Sequence, residues 1–275
     1  MGKTVFLMIL LMLIFMFVGN EIGGYEGMKT AFWVAGGMNF VSYFYSDKLV
    51  LKQYKATEVK EKNAPELYHI VRRLSEQAGL PMPKVYVIPE QVPNAFATGR
   101  NPKHAAVAAT QGLLDLMTPE EVEGVLAHEM SHVRHYDILT GSVAAVFAGA
   151  ITLLANSSKR NTQNSRGGLM GIVLMPIAAT IIQMAISRTR EYKADEGAAH
   201  LTGHPEWLMS ALSKLDGYAK SNQMQRANRQ TAHLFIVNPF SGIKGNFASL
   251  FSTHPATADR IARLEQIRRY MVENK

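Results

Sequence analysis

Cysteine is absent from this 275-residue chain. That excludes disulfides and any thiolate-held metal, so a metal site here must be built from His, Asp or Glu. Charge is also scarce: Asp, Glu, Lys and Arg together make 19% of the residues, and the acidic ones are fewer, leaving a net charge of +7. A basic excess suits nucleic acid or anionic lipid. The basic residues are scattered, and no aromatic-basic cluster resembles an RNA-binding motif. Nucleic acid is therefore not an expected partner, and the lipid bilayer is. No internal repeat or low-complexity tract is present, which excludes a repeat array.

What the chain has instead is a set of long uncharged stretches rich in Leu, Ile, Val, Met, Phe and Ala, at residues 4–19, 30–46, 138–158 and 167–187. A helix needs about 20 apolar residues to cross the hydrocarbon core, with a lower limit near 17. The last two stretches meet this. They are apolar on nearly every face, unlike helices on a domain surface. The first two are short, but polar flanks extend them to the interface. Lys3 would also suit the head of a signal peptide, yet no small-x-small cleavage site follows and a second apolar stretch comes soon after. Lys48, Lys52 and Lys55 follow the second stretch, Arg134 precedes the third, and Arg188, Arg190 and Lys193 follow the fourth. By the positive-inside rule these place the polar portions on the cytoplasmic side. The connection at 156–168 disagrees, since it carries Lys159, Arg160 and Arg166 but must lie outside.

The chemistry lies in His128-Glu129-Met130-Ser131-His132. On a helix, residues i and i+4 share a face, so both imidazoles reach one metal ion, and the glutamate between them is placed to act on an attacking water. The motif has a helical setting. Thr118 is an N-cap, Pro119 suits the first helical position and Glu121 completes a capping box. Val122, Val125, Leu126, Met130 and Val133 then form an apolar stripe.

A catalytic zinc takes three protein ligands. The chain returns from the last apolar stretch at Ser187-Arg188-Thr189-Arg190-Glu191-Tyr192-Lys193-Ala194-Asp195. Glu191 and Asp195 are four apart and share a helix face. Glu191 can complete a His-His-Glu site, and Asp195 can accept a hydrogen bond from the distal nitrogen of a ligating histidine. The alternative for this segment is a solvated, salt-linked helix face. His135, His200 and His204 lack ligand spacing and read as surface residues.

The H-E-M-S-H-V-R-H-Y-D and S-R-T-R-E-Y-K-A-D segments resemble the HtpX group of bacterial membrane metalloproteases. These are relatives of the CAAX prenyl proteases, with a gluzincin site. The resemblance covers nearly the whole chain. It implies one zinc per subunit held by His128, His132 and Glu191, with Glu129 as catalytic glutamate and Asp195 behind the ligands. Pro93-Asn94-Ala95-Phe96-Ala97-Thr98-Gly99 is similar to the family's N-A-F-A segment, which makes Asn94, Ala95, Phe96 and Ala97 the expected substrate strand. Ser252-Thr253-His254-Pro255 and Arg260 are similar to its late T-H-P segment, where His254 and Arg260 would stabilise an oxyanion. The bland reading of that segment is the start of a charged helix.

The expected fold is therefore mainly α with a small β-sheet, a zincin-like metalloprotease domain with four transmembrane helices. Residues 1–46 would be two spans, 47–137 the first part of the zincin domain, 138–187 a transmembrane hairpin and 188–275 the second part. Helices are expected at 63–79, 205–220 and 256–274, and strands at 84–88 and 105–109, while 221–249 reads as irregular. His132 is only six residues before the third apolar stretch, so the site should lie near the bilayer. The resemblance implies protein substrates, mainly membrane proteins, and quality control under stress at the bacterial cytoplasmic membrane. Competing readings are a processing protease for one defined substrate and a non-proteolytic membrane scaffold; the intact Glu129 speaks against the latter.

Overall fold

The structure, a computed structural model, describes residues 2–147, 187–221, 235–237 and 255–274. His254, the fourth apolar stretch except its last residue, the latter half of the third, and most of 221–249 lie outside these.

The first two apolar stretches form one helical run, α1 (Gly2–Gln53), broken only at Gly23 and Gly24. Gly24 takes a φ of 58°, where a side chain would be strained. The two arms fold back on each other: the backbones of Gly19 and Gly27 touch so closely that a Cβ on either would strike the other's carbonyl oxygen. Asn39 Nδ2 donates to the Met8 carbonyl across the arms at 3.2 Å. The second arm continues past residue 46 to Gln53, so the helix carries its lysines out of the apolar region rather than ending at the expected boundary.

Among the described residues, one stretch, Thr4–Glu21, is long and apolar enough to cross a membrane by length and composition. Exposure adds to this. Among the described residues, every exposed large hydrophobic side chain lies on α1 apart from Met82, Tyr136, Tyr270 and Val272. These include Phe17, Trp33 and Phe40 at 67%, 76% and 59% exposure. A run of outward-facing aromatic and aliphatic groups of this kind is not left to water in a soluble domain.

After α1 come β1 (Thr57–Val59), α2 (Pro65–Ala78), β2 (Lys84–Ile88), β3 (Ala95–Gly99), β4 (Ala105–Thr110), α3 (Gln111–Leu116) and α4 (Pro119–Arg134). A short apolar helix, α5 (Asp137–Phe147), follows. Then come α6 (Arg188–Thr202), α7 (Pro205–Lys220) and α8 (Thr257–Glu273). The sheet order is β1-β2-β4-β3, with β2 and β4 parallel and the outer pairs antiparallel. This puts β3 on an edge.

The period of two along β4 splits two cores. Ala105, Val107 and Ala109 face a large helical core that includes Val71, Val125, Met130, Leu212 and Leu264. Ala106 and Ala108 face the end of α1 and α5, with Val50, Leu51, Phe96 and Ala145. Leu7 and Leu11 of α1 pack on Leu139, Val143 and Phe147 of α5, and Thr4 Oγ1 and Thr140 Oγ1 share a buried hydrogen bond of 2.8 Å. The sheet is thus the layer between the helical core built on α2, α4 and α7 and the apolar helices α1 and α5.

Candidate metal centre

The capping box expected at Thr118 and Glu121 is formed: Glu121 N–H donates to Thr118 Oγ1, and Thr118 N–H to the Glu121 carboxylate. This starts α4 in the phase that turns His128 and Glu129 inward, both buried. His135, His200 and His204 are exposed and outside the site.

Helix α6 lies against α4 because Gly197 has no side chain; a Cβ there would sit 2.2 Å from Ser131 Oγ and 3.0 Å from Ser131 Cβ. The close approach delivers Glu191. Its carboxylate oxygens lie 3.5 Å from His128 Nε2 and 3.6 Å from His132 Nε2. All three ligand atoms lie within 4.8 Å of one another. The edge of a tetrahedron with bonds near 2.05 Å is about 3.4 Å, so the set fits a zinc-sized ion. The imidazoles stand edge to face at 90°, and each turns its Nε2 to the same point.

What turns them is a carboxylate behind each ring. His128 Nδ1 is 2.9 Å from Asp195 Oδ1, as expected of Asp195. His132 Nδ1 is 3.3 Å from Asp137 Oδ2, a partner not foreseen. Its only trace in the sequence is the D that ends H-E-M-S-H-V-R-H-Y-D. Asp137 reaches back because Tyr136 adopts a φ of 60°, which breaks the helix between α4 and α5. Arg190 Nη1 holds Asp137 in turn, at 3.3 Å.

Arg260 packs behind the first histidine. It is 1% exposed. Its Nε and Nη2 donate to the two Asp195 oxygens at 2.9 and 2.6 Å, and Nη1 to the Ile236 carbonyl at 2.6 Å. The guanidinium lies behind His128, on its Nδ1 side, away from the metal-facing nitrogen. A buried carboxylate needs a cation, and the planar fork of arginine matches it bidentately.

Electrostatics follow from this layering. Burial opposes charge on His128, but the hydrogen bonds to Asp195 and Glu191 outweigh it and raise its pKa to about 9. Burial pushes the Glu129 carboxyl above its ordinary range, towards the range of a general base. Burial would raise Asp195 as well, but Arg260 overrides it and holds the carboxyl down.

Of the expected substrate strand, Ala95, Phe96 and Ala97 lie in β3, and Asn94 just precedes it. Ala97 N–H donates to Glu129 Oε2 at 2.8 Å, which joins the strand directly to the candidate base. Phe96 points to the other face of the sheet, against Tyr54 at 5.5 Å, so it can offer a substrate only its main chain. Further along, Thr98 Oγ1 and Ser142 Oγ of α5 share a buried 2.6 Å hydrogen bond.

Residues 61–268 match the family described as Peptidase family M48. The Protease HtpX homolog of Campylobacter curvus is 66% identical over 96% of each chain. That of Campylobacter hominis is 64% identical over 98% of this chain and 99% of its own. That of Paraburkholderia phytofirmans is 50% identical over 97% and 96%. In shape the chain is similar to Ste24p of S. mikatae, with 21% identity and a TM-score of 0.49 over 92% of this chain and 61% of that one.

Proposed function

The chain belongs to peptidase family M48 and is a metallopeptidase, and from that premise we propose an integral-membrane zinc endopeptidase that degrades misfolded or damaged membrane proteins, and cytosolic proteins near the membrane, in quality control under stress. The observation that carries the reading is the convergence of His128 Nε2, His132 Nε2 and Glu191 on one point, with Glu129 beside the first ligand and hydrogen-bonded to an edge strand. Two imidazoles and a carboxylate at this spacing are a zinc donor set.

Bound zinc would supply an acidified water and a polarised scissile carbonyl. Glu129 takes the proton of the attacking water and passes it to the leaving amine. An extended substrate adds to β3 through main-chain hydrogen bonds, the small side chains of Ala95 and Ala97 leaving room. The Ala97 N–H, now on Glu129, is a donor such a substrate would compete for. His254, one residue before the buried Pro255, is left as the candidate for oxyanion stabilisation, with Arg260 acting through Asp195 and His128. Four spans, with the catalytic portion facing the cytoplasm, complete the proposal. The exposed apolar face of α1 and the Thr4–Glu21 stretch support the membrane reading.

The test is cleavage of casein and other unfolded proteins by the full chain in neutral detergent, with zinc, with chelator, and as Glu129→Gln. We expect cleavage of several proteins, lost on chelation. Glu129→Gln should bind zinc like the parent and lose cleavage by about 10²-fold or more. Cleavage of a single defined substrate would replace quality control by processing. No cleavage by zinc-loaded parent, or full cleavage by zinc-loaded Glu129→Gln, would sink the mechanism.

A further inference from the structure

On the far side of the sheet edge from the metal centre's helices, a groove of about 880 Å³ opens between the end of α1 and strands β2 and β4. Lys48, Lys52, Lys55, Lys84, Lys103 and His104 line it, with Asp47 as the single carboxylate. Lys84 is engaged by Glu58 at 3.1 Å. Lys52, Lys55 and Lys103 have no ion-pair partner among the described residues and stand exposed. Like charges gathered in one concavity repel, and an anion is what relieves them.

We propose that this groove is a binding site for the phosphate headgroup of an anionic phospholipid. The inference rests on the membrane reading of α1.

Three features choose the lipid over other anions. First, the groove begins where the exposed apolar face of α1 stops. Phe44 and Tyr45 lie one turn before Lys48, and they sit under cations, Arg100 at 5.5 Å and Lys48 at 5.3 Å from the ring centroids. Aromatic rings paired with cations are characteristic of the headgroup level of a bilayer. Second, the groove is not purely polar. Leu51 and Met82 line it, and Met82 is one of four exposed large hydrophobic residues away from α1 among the described residues. A free phosphate has no use for such a wall, whereas a glycerol backbone and the first methylenes of an acyl chain do.

Third, the end of α1 is built around a lysine where glycine is the rule. Ala56 N–H donates to the Leu51 carbonyl and Lys55 N–H to the Lys52 carbonyl, the paired bonds of a left-handed helix cap. The same cap closes α2 with Gly79 at a φ of 64°. In α1 the left-handed residue is Lys55, at a φ of 53°. A side chain is disfavoured there, so the strain places a charge at the groove that glycine could not supply.

The experiment uses the full chain in neutral detergent mixed with phosphatidylcholine or phosphatidylglycerol. Retained lipid is counted by native mass spectrometry, and casein cleavage is followed in parallel. Lys52→Glu with Lys103→Glu should cut phosphatidylglycerol retention by about tenfold or more, each lysine near an anionic surface contributing roughly equally. The charge-matched pair Lys60→Glu with Lys62→Glu lies outside the groove and should retain it. Lys55→Gly should weaken retention while raising the melting temperature, a combination that a purely structural lysine would not give. Equal retention by all variants, or equal retention of phosphatidylcholine, overturns the proposal. Displacement of the lipid by millimolar inorganic phosphate assigns the groove to free phosphate and overturns the lipid. A parent chain that holds phosphatidylglycerol through Lys52 and Lys103 but cleaves nothing supports this site and fails only the protease reading.

Discussion

At the residue scale, each of the two candidate ligand histidines has its own carboxylate behind it, and the two carboxylates differ in what backs them. Asp195 is buried with Arg260, whereas Asp137 is partly exposed and backed by Arg190. Asp195→Asn therefore strands a buried guanidinium. We expect a loss of about 3–5 kcal/mol in stability, the usual result of breaking a buried pair, together with loss of zinc. Asp137→Asn leaves no buried charge, so thermal melting should change little, while zinc affinity in a chelator competition should fall by about 10–100-fold. Proton competition gives a second expectation. His128 binds a proton up to about pH 9, and only its unprotonated form is a ligand. Zinc affinity of the metal-free protein should thus rise by about tenfold per pH unit from pH 6.5 towards 9, with one proton released in titration calorimetry from this residue. Flat affinity over that range would show that Asp195 and Glu191 do not hold the proton. The convergence of His128 and His132 was legible because i, i+4 spacing has one geometric meaning on a helix. Asp137 was not, because it follows His132 by five residues and meets it only through the left-handed Tyr136. Nor was the pairing of Arg260 with Asp195, 65 residues away.

At the scale of elements, the site is an agreement between α4 and α6, and Gly197 sets their distance. Gly197→Ala would place a methyl on Ser131, and Ser131 is buried one residue before His132. The helices must part or shear, at about 1–3 kcal/mol for overpacking of this kind. Because Glu191 rides on the moving helix, zinc affinity should fall by more than the loss of stability alone implies. Melting with and without zinc measures both, and an unchanged zinc-dependent shift would show that α6 relaxes without carrying Glu191. Such helices were readable where caps and periodicity agreed: α4 starts at its predicted capping box, and α7 spans the predicted 205–220. Elements without a full period were not. β1 has three residues and α3 six, too few for an alternation or a helical stripe to register. The edge position of β3 is what the resemblance to the N-A-F-A segment implies of a substrate strand. It comes about because β2 and β4 pair in parallel and leave β3 outside them, a long-range choice that local periodicity alone does not record. The first arm of α1 running on through the polar residues after 19 was likewise hidden, since Glu21 and Glu26 look like a loop until the break at Gly23 and Gly24 is seen.

For the whole molecule, the absence of cysteine makes sidedness directly measurable, because any single introduced thiol is the only one. If the arms of α1 both cross the bilayer, their junction lies outside and the metal centre inside. Tyr25 is 67% exposed beside that junction, and His200 is exposed on α6. Tyr25→Cys should react with a membrane-impermeant maleimide on spheroplasts, and His200→Cys only after the membrane is opened. The decisive position is Ser158, next to Lys159 and Arg160. Charge near the ends of the apolar stretches orients a protein by bias, with each Lys or Arg favouring the cytoplasm. Three basic residues in the connection at 156–168 pull it inward, while Lys48, Lys52, Lys55, Arg188, Arg190 and Lys193 pull the catalytic portions the same way. Both cannot be satisfied if the third and fourth stretches form a spanning hairpin. The candidate ligands narrow the choice: His132 and Glu191 lie 3.6 Å apart and share one side, so the chain between them crosses twice or not at all. Ser158→Cys labelled together with Tyr25→Cys establishes the hairpin and four spans. Ser158→Cys labelled only with His200→Cys leaves α1 as the membrane anchor and makes 138–187 part of the cytoplasmic portion.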